Sequence, residues 1–337
     1  MAAAGLIWPG VAVTAETVTS TAAPAALEVP AGAAYLTAEG RIRVVGYNDM
    51  RDMLEPLAAR FSATHPGIHL ELDLPGTRHA PKALADGTSA FAPMGAVLTP
   101  AQLADYRRQR AQDPACFRVA HASLDPAALS GPLAVFVHED NPLASLTLGQ
   151  LRSIFAGHVT TWGELGLAGP WQDRAIAACG LRQGTALRHE FSARVMGGQE
   201  MAPSVTGFAQ SADAVARVAD DPGGIAFAAA QRVRPRVRIV PLRPRPQDEP
   251  VLPTRETLAE GRYPLDRFLY ICAARPIPGV AVEFIRLVLS GDGQSVVAAT
   301  PQRYIPLADS DVTAELDRLS HSSRESSSAA SAADKGK

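Results

Sequence analysis

An α/β fold is predicted by three observations. Short apolar runs of strand length alternate with helical periodicity in the first third of the chain, the same alternation resumes after a Pro- and Ser-containing stretch, and the runs are too short to be buried helices. Residues 41–46 (RIRVVG) read as the first strand. Met50, Met53, Leu54, Leu57 and Phe61 then recur at helical spacing until His65-Pro66-Gly67 stops the helix. Residues 68–74 alternate apolar and polar side chains, Pro75-Gly76 turns the chain into a helix carrying Ala83 and Leu84, and residues 91–98 make a third, buried strand. Residues 117–122 and 133–138 (LAVFVH) are the next strands, and the stretch 125–132 between them reads as a crossing between two halves. A second α/β unit follows from 146 to about 263, with strands near 175–179, 224–228 and 237–242. Residues 268–274 form a strand returning to the first half, against which the helix 280–289 packs with Val282, Phe284, Ile285, Val288 and Leu289.

With 337 residues, 47% of them hydrophobic, the chain can bury one large core or two smaller ones. Lys and Arg number 32 against 34 Asp and Glu, so the formal charge of -2 gives no net attraction for nucleic acid or an anionic membrane. Cys116, Cys179 and Cys272 are far apart and form no Cys-x-x-Cys, so neither a metal site nor a disulfide framework is expected, and one bridge stays open. Residues 1–15 (MAAAGLIWPGVAVTA) are uncharged and end in small residues, and read either as an export signal without its basic start or as an apolar tail, the former favoured. Residues 16–40 read as a linker, and the Ser- and Ala-rich stretch from 320 to 337 as disordered. No Gly-x-Ser-x-Gly elbow, His-Glu-x-x-His helix, Gly-rich phosphate loop or spaced Cys/His cluster is present, and the histidines are scattered. Neither an enzyme nor a cofactor is expected. In Arg232-Val233-Arg234-Pro235-Arg236-Val237-Arg238-Ile239, alternation puts the arginines on one strand face, either a basic strip for an acidic partner or the solvated face of an edge strand marked by Pro235.

The segments Asp140-Asn141-Pro142-Leu143, Leu146-Thr147-Leu148-Gly149-Gln150-Leu151-Arg152-Ser153-Ile154-Phe155-Ala156-Gly157 and Thr161-Trp162-Gly163-Glu164-Leu165-Gly166 carry the strongest pattern. Together with Tyr263-Pro264-Leu265-Asp266-Arg267-Phe268-Leu269-Tyr270 and Gly293-Gln294-Ser295-Val296-Val297, they make the chain, over about residues 41–319, resemble the phosphate-type periplasmic solute-binding proteins of ABC transporters. The resemblance implies a two-lobed type II binding-protein fold, each lobe a mixed sheet flanked by helices. Lobe I is expected from 41–125 plus 268–319 and lobe II from 126–267, with residues 263–270 carrying the chain across the hinge. It further implies a periplasmic or secreted monomer that delivers a small oxyanion, phosphate foremost, to an ABC permease. Phe155, Trp162 and Tyr270 are read as core.

Members of that family hold the oxyanion with loop hydroxyls, backbone N–H groups at helix starts and one arginine. The physics is general: a helix start offers unpaired donors and partial positive charge. Four segments occupy the corresponding turns. In Gly46-Tyr47-Asn48-Asp49-Met50, Asp49 stands where the family favours a small hydroxyl residue; it either caps the following helix or meets a proton or cation of the ligand. In Pro75-Gly76-Thr77-Arg78-His79, Thr77 keeps a hydroxyl that either donates to an anion or caps its helix, while Arg78 either places charge at the cleft mouth or is solvated. In Ala92-Pro93-Met94-Gly95-Ala96, Gly95 and Ala96 stand where many relatives have Ser-Arg, a departure that weighs against tight phosphate binding. In Gly180-Leu181-Arg182-Gln183-Gly184-Thr185-Ala186-Leu187-Arg188, Arg182 matches the family arginine and Thr185-Ala186-Leu187 falls on its Ser-Gly-Thr, or in another register Gly184-Thr185 falls on the Gly-Thr pair; Arg188 adds a second charge. Arg182 is expected to face the cleft. Two readings follow: an oxyanion-capturing transport component, or a scaffold that has lost phosphate and works through protein contacts in sensing or adhesion.

Overall fold

The computed structural model describes residues 27–334, with side chains through Arg324. The signal-like segment 1–15 lies outside the described residues. The first strands and helices follow the apolar pattern: β1 (Ile42–Val45), α1 (Arg51–Thr64), β2 (Leu70–Asp73), α2 (Ala80–Asp86), β3 (Ala92–Met94), α3 (Pro100–Arg107) and β4 (Ala115–His121). Met53, Leu54, Leu57 and Phe61 are the buried face of α1, as their spacing requires. Then come β5 (Leu133–His138), β6 (Leu146–Thr147), α4 (Leu148–Phe155), β7 (Ala177–Leu181), α5 (Ala186–Phe191), β8 (Thr206–Phe208), α6 (Ser211–Ala219), β9 (Gly224–Ala229), β10 (Val237–Ile239), β11 (Leu242–Arg243) and α7 (Arg255–Ala259). The chain closes with β12 (Phe268–Ala273), α8 (Gly279–Leu289), α9 (Gly291–Ala298) and α10 (Asp309–Asp334).

The sheets are mixed and fall into two groups. One group holds the parallel pair β1-β2 and the antiparallel order β3-β12-β4; the other holds the five-stranded order β10-β5-β9-β7-β8 and the parallel pair β11-β6. Each group has its own core. Ile42, Phe61, Phe117 and Ile271 belong to one, packed with Phe91 stacked on Phe284, while Phe136, Phe155, Trp162 and Phe227 belong to the other, where Phe191 stacks on Phe227. A smaller cluster around Leu84, Met94 and Tyr106 extends the first lobe, and one main core per lobe is what a two-lobed molecule needs. The chain passes between them after β4, again before β12, and at Ile305, whose N–H and carbonyl pair with His121 although its side chain joins the second core. At this junction His121 Nδ1 lies 2.6 Å from the Asp266 carboxylate, both side chains being buried, so a proton on Nδ1 pairs with a carboxylate oxygen.

Four expectations are corrected here. Residues 27–40 are not a free linker: Leu27, Val29, Tyr35 and Leu36 pack on the first core. The stretch from 320 onward is helical as far as Asp334, because Leu319 and Ser322 bury against the first lobe and no Gly or Pro interrupts the run before Gly336. The arginines of 232–238 do not share a strand face: only Val237–Ile239 is a strand, at the sheet edge, and Arg238 turns inward to the carbonyls of Asn141 (2.6 Å) and Leu143 (2.5 Å). Tyr270 is half-buried rather than core; it lines a small cavity between the lobes.

One bridge does form. Cys116 on β4 and Cys272 on β12 sit opposite each other in register and are disulfide-bonded across 156 residues of sequence, while Cys179 is buried and free. Closing so long a loop restricts the unfolded chain, so reduction is expected to cost about 2–4 kcal/mol of stability, read as a fall in urea midpoint with a phosphine reductant present. An unchanged midpoint under full reduction, verified by thiol counting, would contradict this.

Candidate functional site

A cleft of about 620 Å³ opens between the two lobes. The first lobe contributes Tyr47, Thr77, Gly95 and Ala96; the crossing segments contribute Leu129, Ser130 and Arg267; the second lobe contributes the turn into α5 and the start of α6. These are strand-to-helix junctions, where backbone donors are left over by the helix geometry. Such a wall can replace water around a negative group.

Arg267 dominates the electrostatics. It is 6% exposed, and its terminal nitrogens donate to the carbonyls of Gly131 (3.2 Å) and Gly95 (2.7 Å). Its Nε lies 2.7 Å from Glu190 Oε2 on α5, an ion pair whose angle is too poor for a directed hydrogen bond on either atom. A guanidinium has five N–H groups, so two remain after the carbonyls and Glu190 are counted. One buried cation thus ties the first lobe, the crossing and the second lobe together and still has donors for a ligand.

The hydroxyls are organised around it. Thr77 Oγ1 accepts from Gly95 N (3.1 Å) and keeps its own proton for the cleft. Ser130 Oγ and Tyr47 Oη are 3.1 Å apart, so the pair spends one proton on its mutual bond and keeps the other. Burial pushes the Tyr47 hydroxyl up to about 12, which keeps it protonated at neutral pH. Ser211 Oγ accepts from Ala229 N (3.2 Å) at the first turn of α6, a helix with no side-chain cap whose first turn lines the cleft. Arg232 reaches the rim, where it donates to the carbonyls of Pro126 (2.9 Å) and Ala128 (3.1 Å). Gly95 is needed because a Cβ there would stand 2.7 Å from the Tyr47 ring.

Of the residues anticipated from the sequence, Thr77, Gly95, Thr185 and Ala186 line the cleft. Thr77 caps no helix. Thr185 does cap α5, accepting from Arg188 N (3.3 Å) and donating to the carbonyl of Arg182 (2.9 Å). Asn48 and Arg78 are exposed and outside the lining, Arg78 donating to its neighbour His79 at 3.0 Å, and Met50 is buried in the first core. Asp49 is not a helix cap: its carboxylate accepts from the N–H groups of Leu129 (2.9 Å) and Ser130 (3.3 Å) and from the Tyr304 hydroxyl, so it anchors the crossing segment behind the cleft. Arg182 is exposed and does not line the cleft; its backbone N–H pairs with Phe208, and it precedes the turn that aims Thr185. Arg188 folds back on the Leu181 carbonyl at 3.2 Å, where burial draws its guanidinium below the usual range.

Arg267, Arg232, Tyr47, Ser130 and the start of α6 were not anticipated as site residues. The signal for Arg267 was available: Asp266-Arg267 interrupts the apolar run Leu265 to Leu269, and charge inside such a run has to be paired when buried. The family model for the PBP superfamily domain matches residues 31–292. The phosphate-binding protein PstS of Pseudomonas aeruginosa is 28% identical over 280 residues, covering 80% of this chain and 83% of that protein. Among solved structures, an ABC-type phosphate transport receptor from Vibrio cholerae superposes with a TM-score of 0.55 at 20% identity, covering 79% of this chain and 99% of the other. PstS from Borrelia burgdorferi does so with 0.53 at 14% identity, covering 79% and 98%. With two cores, mixed sheets, an inter-lobe cleft and a family match over most of its length, the chain belongs to the PBP superfamily and has its two-lobed type II architecture.

Proposed function

We propose that the protein captures phosphate or a related small oxyanion between its lobes, outside the cytoplasm, and presents it to an ABC-type permease. The observation that carries this reading is the buried Arg267 guanidinium facing the cleft alongside the Thr77 and Ser130 hydroxyls. The names of the Pseudomonas and Vibrio proteins support the ligand class and the transport role. The Cys116–Cys272 bridge supports an oxidising compartment, since such bonds persist outside the reducing cytosol. No helix among the described residues is long and apolar enough to cross a membrane. A protein that closes on its ligand lets the permease read the closed state, because ligand contacts with both lobes shift the population.

Titration calorimetry with phosphate and sulfate tests the reading. Saturable binding that weakens by about tenfold in Thr77→Val, the worth of one charge-assisted hydrogen bond, is expected. Indifference to every small oxyanion would favour the scaffold that works by protein contact.

A further inference from the structure

We propose that the preferred solute is an organic phosphorus oxyanion carrying a short chain with a cationic amine, rather than bare phosphate. The inference rests on reading the cleft as an oxyanion seat. The open cleft of about 620 Å³ falls among those that hold small organic molecules, about 300–1,000 Å³. Much of its lining is apolar: three leucines and five alanines face the space and offer no side-chain hydrogen bond to an oxygen shell. Leu187 and Ala186 stand directly after the Thr185 cap, so the second lobe presents aliphatic surface beside its helix start.

The charge balance points the same way. Arg267 and Arg232 line the cleft, but Glu190 already sits 2.7 Å from the Arg267 Nε and Asp213 adds a second carboxylate. Glu190 offsets part of the Arg267 charge from outside the lining and Asp213 sets a carboxylate within it, so a zwitterion, with its oxyanion on the guanidiniums and its ammonium on Asp213, is better matched than a doubly charged bare ion. Asp213 is the natural seat for the ammonium: it is exposed in the lining, in the first turn of α6, and no ion pair holds it among the described residues. The methylene chain then lies along the aliphatic wall, where burying it is favourable.

The test is calorimetric titration of the full chain with inorganic phosphate, methylphosphonate and 2-aminoethylphosphonate at one pH and ionic strength, for the natural protein and Asp213→Asn. Binding of 2-aminoethylphosphonate about tenfold tighter than the other two, with the gap closing in Asp213→Asn, is the expected result. Phosphate binding tightest, and tightening further in Asp213→Asn, overturns this inference while leaving the oxyanion reading in place. A preference for the aminophosphonate that survives Asp213→Asn overturns it as well, because the carboxylate would then play no part. No binding of any of the three overturns this inference, and no binding of sulfate in addition overturns the oxyanion reading itself.

Discussion

Replacing Arg267 by alanine is expected to abolish measurable oxyanion binding and to destabilise the fold by about 3–5 kcal/mol, the usual cost of removing one partner from a buried ion pair. The two effects have separate origins. Stability falls because Glu190, with 13% of its side chain exposed, keeps only its longer 3.4 Å contact with Arg194 and the carbonyls of Gly95 and Gly131 lose their donor. Binding falls because the cleft loses its buried cation. Pairing Arg267→Ala with Glu190→Ala separates them: the double variant should recover part of the stability in urea denaturation, since the stranded carboxylate is gone, without recovering the ligand. Arg267→Lys is the sharper probe. An ammonium cannot span two carbonyls, a carboxylate and a ligand as the guanidinium fork does, so at least a hundredfold loss of affinity, about 2.7 kcal/mol, is expected with the fold intact by circular dichroism. A lysine variant that binds phosphate like the natural protein would remove Arg267 from the site.

Asp49→Ala is expected to cost about 4 kcal/mol and to loosen the passage between the lobes. One carboxylate oxygen collects the N–H groups of Leu129 and Ser130 and the hydroxyl of Tyr304; Ser130 and Tyr304 are buried, while the Leu129 side chain is exposed. Each such bond to a charged acceptor is worth about 1.5–3 kcal/mol, and their loss strands three donors at once. Tyr304 is sensitive to the change, because burial first and the neighbouring carboxylate next push its hydroxyl far above the usual tyrosine range. Hydrogen exchange at the Leu129 and Ser130 amides should accelerate in the variant even under conditions where the second core stays protected. A loss below about 1 kcal/mol, with exchange unchanged, would show that the crossing is held elsewhere.

Much of the fold was legible because burial imposes period. The run LAVFVH became the inner strand β5, and the apolar face of α8 fell where Phe284, Ile285 and Val288 recur. What periodicity does not encode was missed: β6 and β11 have two residues each, too few to show alternation, and they exist because they pair with each other across about a hundred residues of sequence. The site was legible only at the turns, where Thr77 and Thr185 stand on junctions that local chemistry marks. Arg182 drew attention through its spacing from Thr185, yet a residue at the end of a strand faces whichever side the pleat dictates, and here that is solvent. Arg267 was hidden by its neighbours, since the segment around it reads as hinge and its function depends on Gly95, Gly131 and Glu190, three residues from three distant parts of the chain.

The bare backbone at 95 and the ring at 47 constrain how this family member can evolve. A Cβ added at position 95 meets Tyr47 Cε1 at 2.7 Å and Cδ1 at 2.9 Å, with Ser130 Oγ at 3.1 Å, so no side chain enters while the tyrosine keeps its present pose. A side chain at 95 therefore requires residue 47 to shrink or to swing aside, which couples the two positions sterically.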